Sequence, residues 1–230
     1  MRVCAVIPAY NSQATIGAVV AQTRRYTQRV VVINDGSTDQ TGRLAAEAGA
    51  HVIGTKRNRG KGHALEMAFK YALSQNYDAV ITLDADLQHD PVEIPKFIEH
   101  HKGTGADLII GNRMHIENGI PGYRRLPNRI GTRCFSWLTG QAILDSQCGF
   151  RLYTRKIIAA LPIMTRGFET ESDLLLRAGR HGFRIEFIPV RPIYFNGCRT
   201  GGGKGSFYRP IRDTYLICIN FLKNWLWRKR

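Results

Sequence analysis

The sequence predicts an α/β fold in which a mostly parallel sheet carries helices on both faces. Three observations support this prediction. Short apolar runs rich in β-branched residues alternate with helix-type patterns through the first half of the chain. Polar loops follow these runs, as they do at the ends of parallel strands. With 230 residues, 43% of them apolar, the chain can bury a substantial core.

The first elements follow from these patterns in chain order. A strand is expected over Val3–Ile7, where an apolar run stops at a proline, and a helix is expected over Thr15–Thr27. A second strand over Val30–Ile33 ends in a polar loop. In that loop Ser37 or Thr38 is expected to cap the next helix.

The later elements continue the alternation. We expect a short strand, a helix, a buried strand, a helix and a further strand, in that order, over His51–Gly54, His63–Ser74, Val80–Leu83, Pro91–Lys102 and Asp107–Gly111. A last helix is expected over Ser172–His181.

Two carboxylates follow the buried strand. Asp84 and Asp86 stand two positions apart where Val80–Leu83 stops, so both side chains can point into one space at the carboxyl edge of the sheet. Two acids in one space repel each other unless a cation lies between them. A divalent cation with a phosphate in its shell would relieve this repulsion, and Gln88 adds an amide oxygen nearby. A solvated Asp-rich turn is the alternative interpretation.

Three polar loops are expected to meet at this edge, because the carboxyl ends of parallel strands lie together. Tyr10 follows the first strand and offers an aromatic stacking face. Asp35 follows the second strand and can accept a hydrogen bond from a base N–H or a ribose hydroxyl. With the two carboxylates beside a diphosphate, the pattern indicates a pocket for a nucleotide with a diphosphate tail.

A basic glycine-rich turn, Gly60-Lys61-Gly62, opens the third helix. It is not a P-loop, because five residues separate Gly54 from Gly60 and a glycine follows Lys61. Such a turn can still approach a phosphate through Lys61. A solvated helix start is the alternative.

The net charge of +15 is unevenly distributed. Residues 1–112 hold 12 Lys and Arg against 11 Asp and Glu, whereas residues 113–230 hold 21 against 7. The second half is therefore expected to meet an anionic partner: a nucleic acid, a phosphorylated substrate or an acidic membrane face.

The remaining composition indicates the compartment. Five cysteines without a Cys-x-x-Cys spacing predict neither a disulfide framework nor a zinc site, which favours a reducing cytoplasm. The chain enters its first strand directly, unlike a signal peptide. No apolar run approaches the ~20 residues of a membrane span.

Taken together, the motifs resemble those of family 2 glycosyltransferases with the GT-A fold. The resemblance rests on Ile7–Asn11, Asn34–Asp39, Arg59–Gly62 and Leu83–Pro91, and it continues through Gly111–Arg113, Cys148–Arg151 and Phe168–Glu171. Within that family the chain is most similar to the dolichyl-phosphate mannose or glucose synthases and their bacterial polyprenyl-phosphate relatives.

The resemblance implies roles for the matching residues. The nucleoside site would be lined by Pro8, Tyr10 and Asp35. The metal, Mg²⁺ or Mn²⁺, and the donor diphosphate would be held by Asp84, Asp86 and Gln88, and a phosphate would be contacted by Arg113. Glu171 would recognise a sugar hydroxyl or act as a general base, and an ordinary acid at a helix start is the alternative. Ser12 stands where the family has a nucleoside-contacting Glu, so the donor stays open between GDP-mannose and UDP-glucose types.

The second half is expected to bind the acceptor. In the polyprenyl-phosphate subfamily a stretch similar to the basic run at 122–129 lies at the membrane surface and binds the lipid phosphate. Arg124 and Asn128 occupy the matching positions. Lys204 belongs to a glycine-rich basic loop that can close over phosphates. A solvated basic helix end is the alternative for the 122–129 run.

We expect one catalytic domain over residues 1–200, divided into a nucleotide-sugar and metal half (1–112) and an acceptor half (113–200). Residues 201–230 are expected to form a basic loop and an amphipathic helical tail, and the chain ends in three cations. Its aromatic residues suit an interfacial helix on a membrane surface. Packing on the domain, on a second copy or on a small membrane partner is the alternative.

The expected reaction is inverting sugar transfer from a nucleotide-diphosphate sugar to a polyprenyl phosphate, by an enzyme attached peripherally to the cytoplasmic face of the membrane. Its catalytic residues would be Asp86, Arg113 and Glu171. A phosphate acceptor is already ionised near pH 7 and needs no strong base. One alternative is a family 2 transferase that acts on a sugar hydroxyl with Glu171 as base. A nucleic-acid-binding protein is the other, although the chain has no recognisable nucleic-acid motif.

Overall fold

A computed structural model describes residues 1–114, 132–167 and 169–193. Seven strands in these residues form one sheet in the order β3-β2-β1-β4-β6-β5-β7. The strands are β1 (Val3–Ala9), β2 (Arg29–Asn34), β3 (His51–Gly54), β4 (Ala79–Thr82), β5 (Leu108–Asn112), β6 (Arg151–Thr154) and β7 (Ile185–Pro189). The helices are α1 (Ile16–Thr23), α2 (Thr41–Glu47), α3 (Lys61–Ser74), α4 (Ile94–Thr104), α5 (132–139), α6 (Arg155–Ala160) and α7 (Thr170–Arg180).

The sheet is mostly parallel, as the alternation of strands and helices predicted. β1 pairs in parallel with β2 and β4, β2 with β3, and β5 with β7. β6 runs antiparallel between β4 and β5. The carboxyl ends of β1, β2 and β4 therefore lie at the same edge of the sheet.

Strands β1, β2 and β4 are largely buried because their side chains are apolar on both faces. Cys4 to Ile7 of β1, Val31 to Ile33 of β2 and Ala79 to Ile81 of β4 are fully enclosed. Such continuous apolar runs are typical of a parallel sheet covered on both sides. They leave the polar residues only at the strand ends, where the loops begin.

Several predicted boundaries shift. α1 ends at Thr23, four residues before the expected end, and α3 begins at Lys61 rather than His63. The predicted cap of α2 is wrong: the helix begins at Thr41 after Gln40, and neither Ser37 nor Thr38 caps it. The reason is that the Ser37 Oγ accepts a hydrogen bond from the Asn11 N–H at 3.0 Å, so the loop is used to join β1 to β2.

Candidate active site

The three polar loops meet as expected. The Asp35 N–H donates to the Ala9 carbonyl oxygen at 2.9 Å, which joins the ends of β1 and β2. The Thr15 hydroxyl donates to the Ala85 carbonyl oxygen at 2.6 Å, which ties the start of α1 to the loop after β4. Pro8 and Tyr10 are half-buried at this edge. The Ser12 side chain is engaged within its own loop, because its hydroxyl donates to the Tyr10 carbonyl oxygen at 3.1 Å.

Asp84 is held from three sides. The Lys61 Nζ donates to its Oδ1 at 2.6 Å, and its own N–H donates to the His89 Nδ1 at 3.1 Å. A Cβ on Gly149 would lie 2.5 Å from its Oδ2, so a larger residue there would displace this carboxylate. Burial alone would raise the pKa of Asp84, but the charge of Lys61 outweighs it and holds that pKa well below its usual range.

Asp86 shares the space with Asp84 but is stabilised much less. Its Oδ1 accepts a hydrogen bond from the Gln88 N–H at 3.0 Å. Leu87 between them has a φ of 64°, a conformation rare for a residue with a branched side chain. Burial, together with the neighbouring charge of Asp84, raises the pKa of Asp86 to about 6. Its carboxylate is therefore placed where a further positive charge would be favourable.

Lys61 joins the two halves of the chain. Its Nζ lies 2.6 Å from Asp84 Oδ1 and 3.1 Å from Glu171 Oε2, and its side chain is only 12% exposed. The contact depends on glycine, because a Cβ on Gly60 or Gly62 would lie 2.2 Å from a backbone oxygen of the segment before α7. The Gly62 N–H donates to the Arg166 carbonyl oxygen at 2.9 Å, which fixes that segment against α3.

Asp35 organises a basic loop. Its carboxylate accepts hydrogen bonds from the backbone N–H groups of Arg59 and Gly60, the latter at 2.7 Å. Beside this loop lies an open groove of about 470 Å³, lined by Thr55, Lys56, Arg57, Arg59, His63 and Met67. The groove is cationic and adjoins the Lys61 turn.

Arg113 lies at the same site. Its guanidinium makes a two-point contact with Asp145, with Nε to Oδ2 at 2.8 Å and Nη2 to Oδ1 at 3.1 Å. The Asp145 side chain is fully buried, whereas that of Arg113 is 19% exposed. Burial opposes ionisation of Asp145, but Arg113 holds its pKa below its usual range. The charge of Arg113 also acts on Asp84.

Arg151, the first residue of β6, is fully buried and supports the site through hydrogen bonds. Its guanidinium donates to three carbonyl oxygens: Nε to Cys148 at 2.6 Å, Nη1 to Glu171 at 2.7 Å and Nη2 to Ser146 at 2.8 Å. It thereby connects the turn that touches Asp84 to the first turn of α7.

His89 is a site residue that the sequence analysis did not identify. It is buried, and its ring stacks on Phe150 at a centroid distance of 5.3 Å. Because its Nδ1 accepts the Asp84 N–H, the ring proton must be on Nε2, which faces Asp84 Oδ2 at 3.8 Å. Burial lowers the pKa of His89 to about 4. The sequence feature that could have identified His89 is its position three residues after Asp86, in the same loop.

The predicted acceptor residues Arg124, Asn128 and Lys204 lie outside the described residues, as does the amphipathic tail. Cys148 is fully buried, and burial raises its pKa to about 12, as suits a packing residue. Among the described residues, no helix is long and apolar enough to cross a membrane.

Comparison with known proteins agrees with this geometry. Residues 4–161 match the family model described as glycosyl transferase family 2. The chain is 28% identical to the undecaprenyl-phosphate mannosyltransferase of Micrococcus luteus over 208 residues, 83% of each chain. It is 33% identical to the undecaprenyl-phosphate 4-deoxy-4-formamido-L-arabinose transferase of Klebsiella pneumoniae over 95% of this chain and 67% of that one.

A solved structure shares the fold. Glucosyl-3-phosphoglycerate synthase from Mycobacterium tuberculosis, crystallised with Mn²⁺, uridine diphosphate and phosphoglyceric acid, superposes with a TM-score of 0.75 at 20% identity. The match covers 97% of this chain and 78% of that one. The predicted GT-A fold is thereby confirmed. From its motifs, its sheet and these similarities, the chain is a glycosyltransferase that belongs to glycosyl transferase family 2.

Proposed function

We propose that the chain transfers a sugar, with inversion, from a nucleotide-diphosphate sugar to a polyprenyl phosphate, and that it requires Mg²⁺ or Mn²⁺. The observation that carries the proposal is the half-buried pair of Asp84 and Asp86 at the carboxyl edge of β4. The pair lies beside loops that offer Tyr10 and a cationic groove.

The side chains at this edge fit a divalent cation. Two carboxylates and the amide oxygen of Gln88 are hard oxygen donors of the kind that Mg²⁺ and Mn²⁺ prefer. The raised pKa of Asp86 marks an anion that gains from a nearby cation. Asp84, Asp86 and Gln88 would hold the ion. When bound, it would neutralise the charge that develops on the leaving diphosphate.

A phosphate acceptor suits the site better than a sugar hydroxyl. A hydroxyl acceptor requires a general base, for which Glu171 is the candidate, yet its Oε2 is engaged by Lys61 at 3.1 Å. An ionised phosphate needs only to be oriented. Arg113 and the other cations of the second half would orient it, and that half carries a net charge of +14. The two named relatives differ in sugar but share an undecaprenyl-phosphate acceptor, which supports the same acceptor class here.

The donor is proposed to be a GDP-mannose-type or UDP-glucose-type nucleotide sugar. A lipid acceptor further implies peripheral contact with the cytoplasmic face of a membrane, for which the basic and aromatic tail is the proposed attachment. Vesicle co-sedimentation measures this contact. Equal sedimentation of a chain that lacks residues 221–230 would assign the tail to packing or to assembly.

The experiment that tests the reaction has two steps. A thermal-shift panel of nucleotide sugars with Mn²⁺ identifies the donor. Each donor that raises the thermal midpoint is then offered polyprenyl phosphate, or a free glycan as the matched control. Transfer to the lipid phosphate alone is expected. Turnover that proceeds equally well without lipid phosphate would favour the hydroxyl acceptor instead.

Replacement of Arg124 by alanine tests the acceptor half. Loss of one charge-assisted hydrogen bond costs roughly 1.5–3 kcal/mol, so the KM for polyprenyl phosphate should rise tenfold or more. The KM for the donor should stay unchanged. Arg133→Ala is the matched control, because Arg133 is an exposed cation on α5. A rise in the donor KM alone would mean that the two halves of the chain exchange these roles.

A further inference from the structure

The Lys61 ammonium already contacts Asp84, one of the two carboxylates proposed to bind the divalent cation. It donates to Asp84 Oδ1 at 2.6 Å, while Oδ2 of the same carboxylate lies against Gly149 and 3.8 Å from His89 Nε2. Asp84 Oδ1 is therefore already paired, and the carboxylate keeps 32% of its side-chain surface exposed. A second cation at this carboxylate must share it with Lys61.

Such sharing is costly where the ammonium is largely buried. Like charges repel more strongly as the effective dielectric constant falls, and the Lys61 side chain is only 12% exposed. A divalent ion bound by Asp84 and Asp86 would face the ammonium at close range. Either the ion binds weakly or the ammonium withdraws from Asp84.

Glu171 offers the ammonium a second position. Its Oε2 lies 3.1 Å from Lys61 Nζ, and its buried Oε1 has no hydrogen-bond partner within the described part of the chain. An ammonium has three N–H donors, so it can satisfy both oxygens at once. The backbone of Glu171 is fixed, because its carbonyl oxygen accepts from Arg151 Nη1 at 2.7 Å.

We propose that Lys61 competes with the divalent cation for Asp84, and that Glu171 holds the ammonium when the cation is bound. Lys61 and Glu171 then act as positioning residues that set the affinity of the metal site. This inference rests on the proposed function only in its metal requirement. It assigns Glu171 a role through Lys61 rather than as a base.

The test is Mn²⁺ binding to the full chain without nucleotide, measured by the electron paramagnetic resonance signal of free Mn²⁺. Lys61→Met should bind Mn²⁺ more tightly than the wild type, roughly tenfold or more, equivalent to about 1.4 kcal/mol. The matched control is Lys70→Met. Lys70 lies on the same helix but is exposed and pairs with Glu66, so its loss should leave the affinity unchanged.

Glu171→Gln should change the affinity in the opposite direction. In this variant the side chain of residue 171 carries no charge, so the Lys61 ammonium remains on Asp84. Mn²⁺ should therefore bind more weakly. The double variant Lys61→Met/Glu171→Gln should then resemble Lys61→Met, because Glu171 acts through Lys61. A direct electrostatic effect of Glu171 on the ion would instead weaken binding equally in both backgrounds and overturn this part of the proposal.

The outcomes separate this inference from the proposed function. If the wild-type chain binds Mn²⁺ and Lys61→Met binds it equally or more weakly, the proposed competition is overturned. The metal requirement is then left intact. Absence of Mn²⁺ binding from all variants, even with UDP or GDP added, overturns both. Loss of the folded state in Lys61→Met is checked by circular dichroism. In that event Lys61→Gln, which keeps a polar group beside Asp84 and Glu171 but no charge, replaces it with the same expectation.

Discussion

Asp86→Asn is expected to abolish turnover while leaving the fold intact. The substitution removes one of the two carboxylates that would hold the divalent cation. Stabilisation of a leaving diphosphate by a metal ion contributes several kcal/mol, so kcat should fall at least roughly 10³-fold, equivalent to about 4 kcal/mol. The asparagine Oδ1 can still accept the Gln88 N–H, so the local turn is preserved. The measurement is the rate of sugar transfer, together with donor binding in the presence and absence of Mn²⁺.

The stability of this variant separates a functional role from a structural one. Burial and the charge of Asp84 disfavour the ionised form of Asp86, whose pKa is raised to about 6. A neutral asparagine should therefore keep the thermal midpoint in chelator at or above that of the wild type. Asp90→Asn is the control, since Asp90 caps the next turn through the Val92 N–H and an asparagine caps equally well. Full activity of Asp86→Asn, or of the wild type in excess chelator, would contradict the metal assignment.

The site residues that could be predicted from the sequence are those that the ends of neighbouring strands bring together. Asp84 and Asp86 are two positions apart at the end of one apolar run, so strand geometry alone brings them together. Tyr10 and Asp35 follow strands that pair in parallel with each other, and the rule that carboxyl ends share an edge was sufficient.

The contacts that sequence reasoning did not find join distant segments. Lys61 and Glu171 are 110 positions apart, and no local pattern relates them. Their contact depends on the close packing of Gly60 and Gly62 against the segment before α7. The antiparallel β6 was also absent from the predicted elements. Its sequence contains Arg151, a residue that usually lies at the surface, so a short buried strand was not recognised there.

Arg151 is the second residue whose loss should have a large effect. Arg151→Met is expected to lower the free energy of unfolding by about 3–5 kcal/mol, because three buried carbonyl oxygens lose their donors. Each kcal/mol shifts the midpoint of a chain of this size by about 2–4 °C, so thermal unfolding should show a fall of roughly 10 °C. Activity should fall as well, since the turn against Asp84 and the first turn of α7 would no longer be held together.

Arg155→Met isolates the contribution of burial to this effect. Arg155 lies four residues further along and also donates to backbone carbonyl oxygens, at 3.2 Å from Leu73 and 3.5 Å from Tyr77, but it is exposed. Water can replace it, so its loss should cost less than about 1 kcal/mol. Arg151→Lys should lie between the two, because an ammonium keeps the charge but cannot span three divergent acceptors. A midpoint of Arg151→Met equal to that of Arg155→Met would show that the buried guanidinium does not hold the site together.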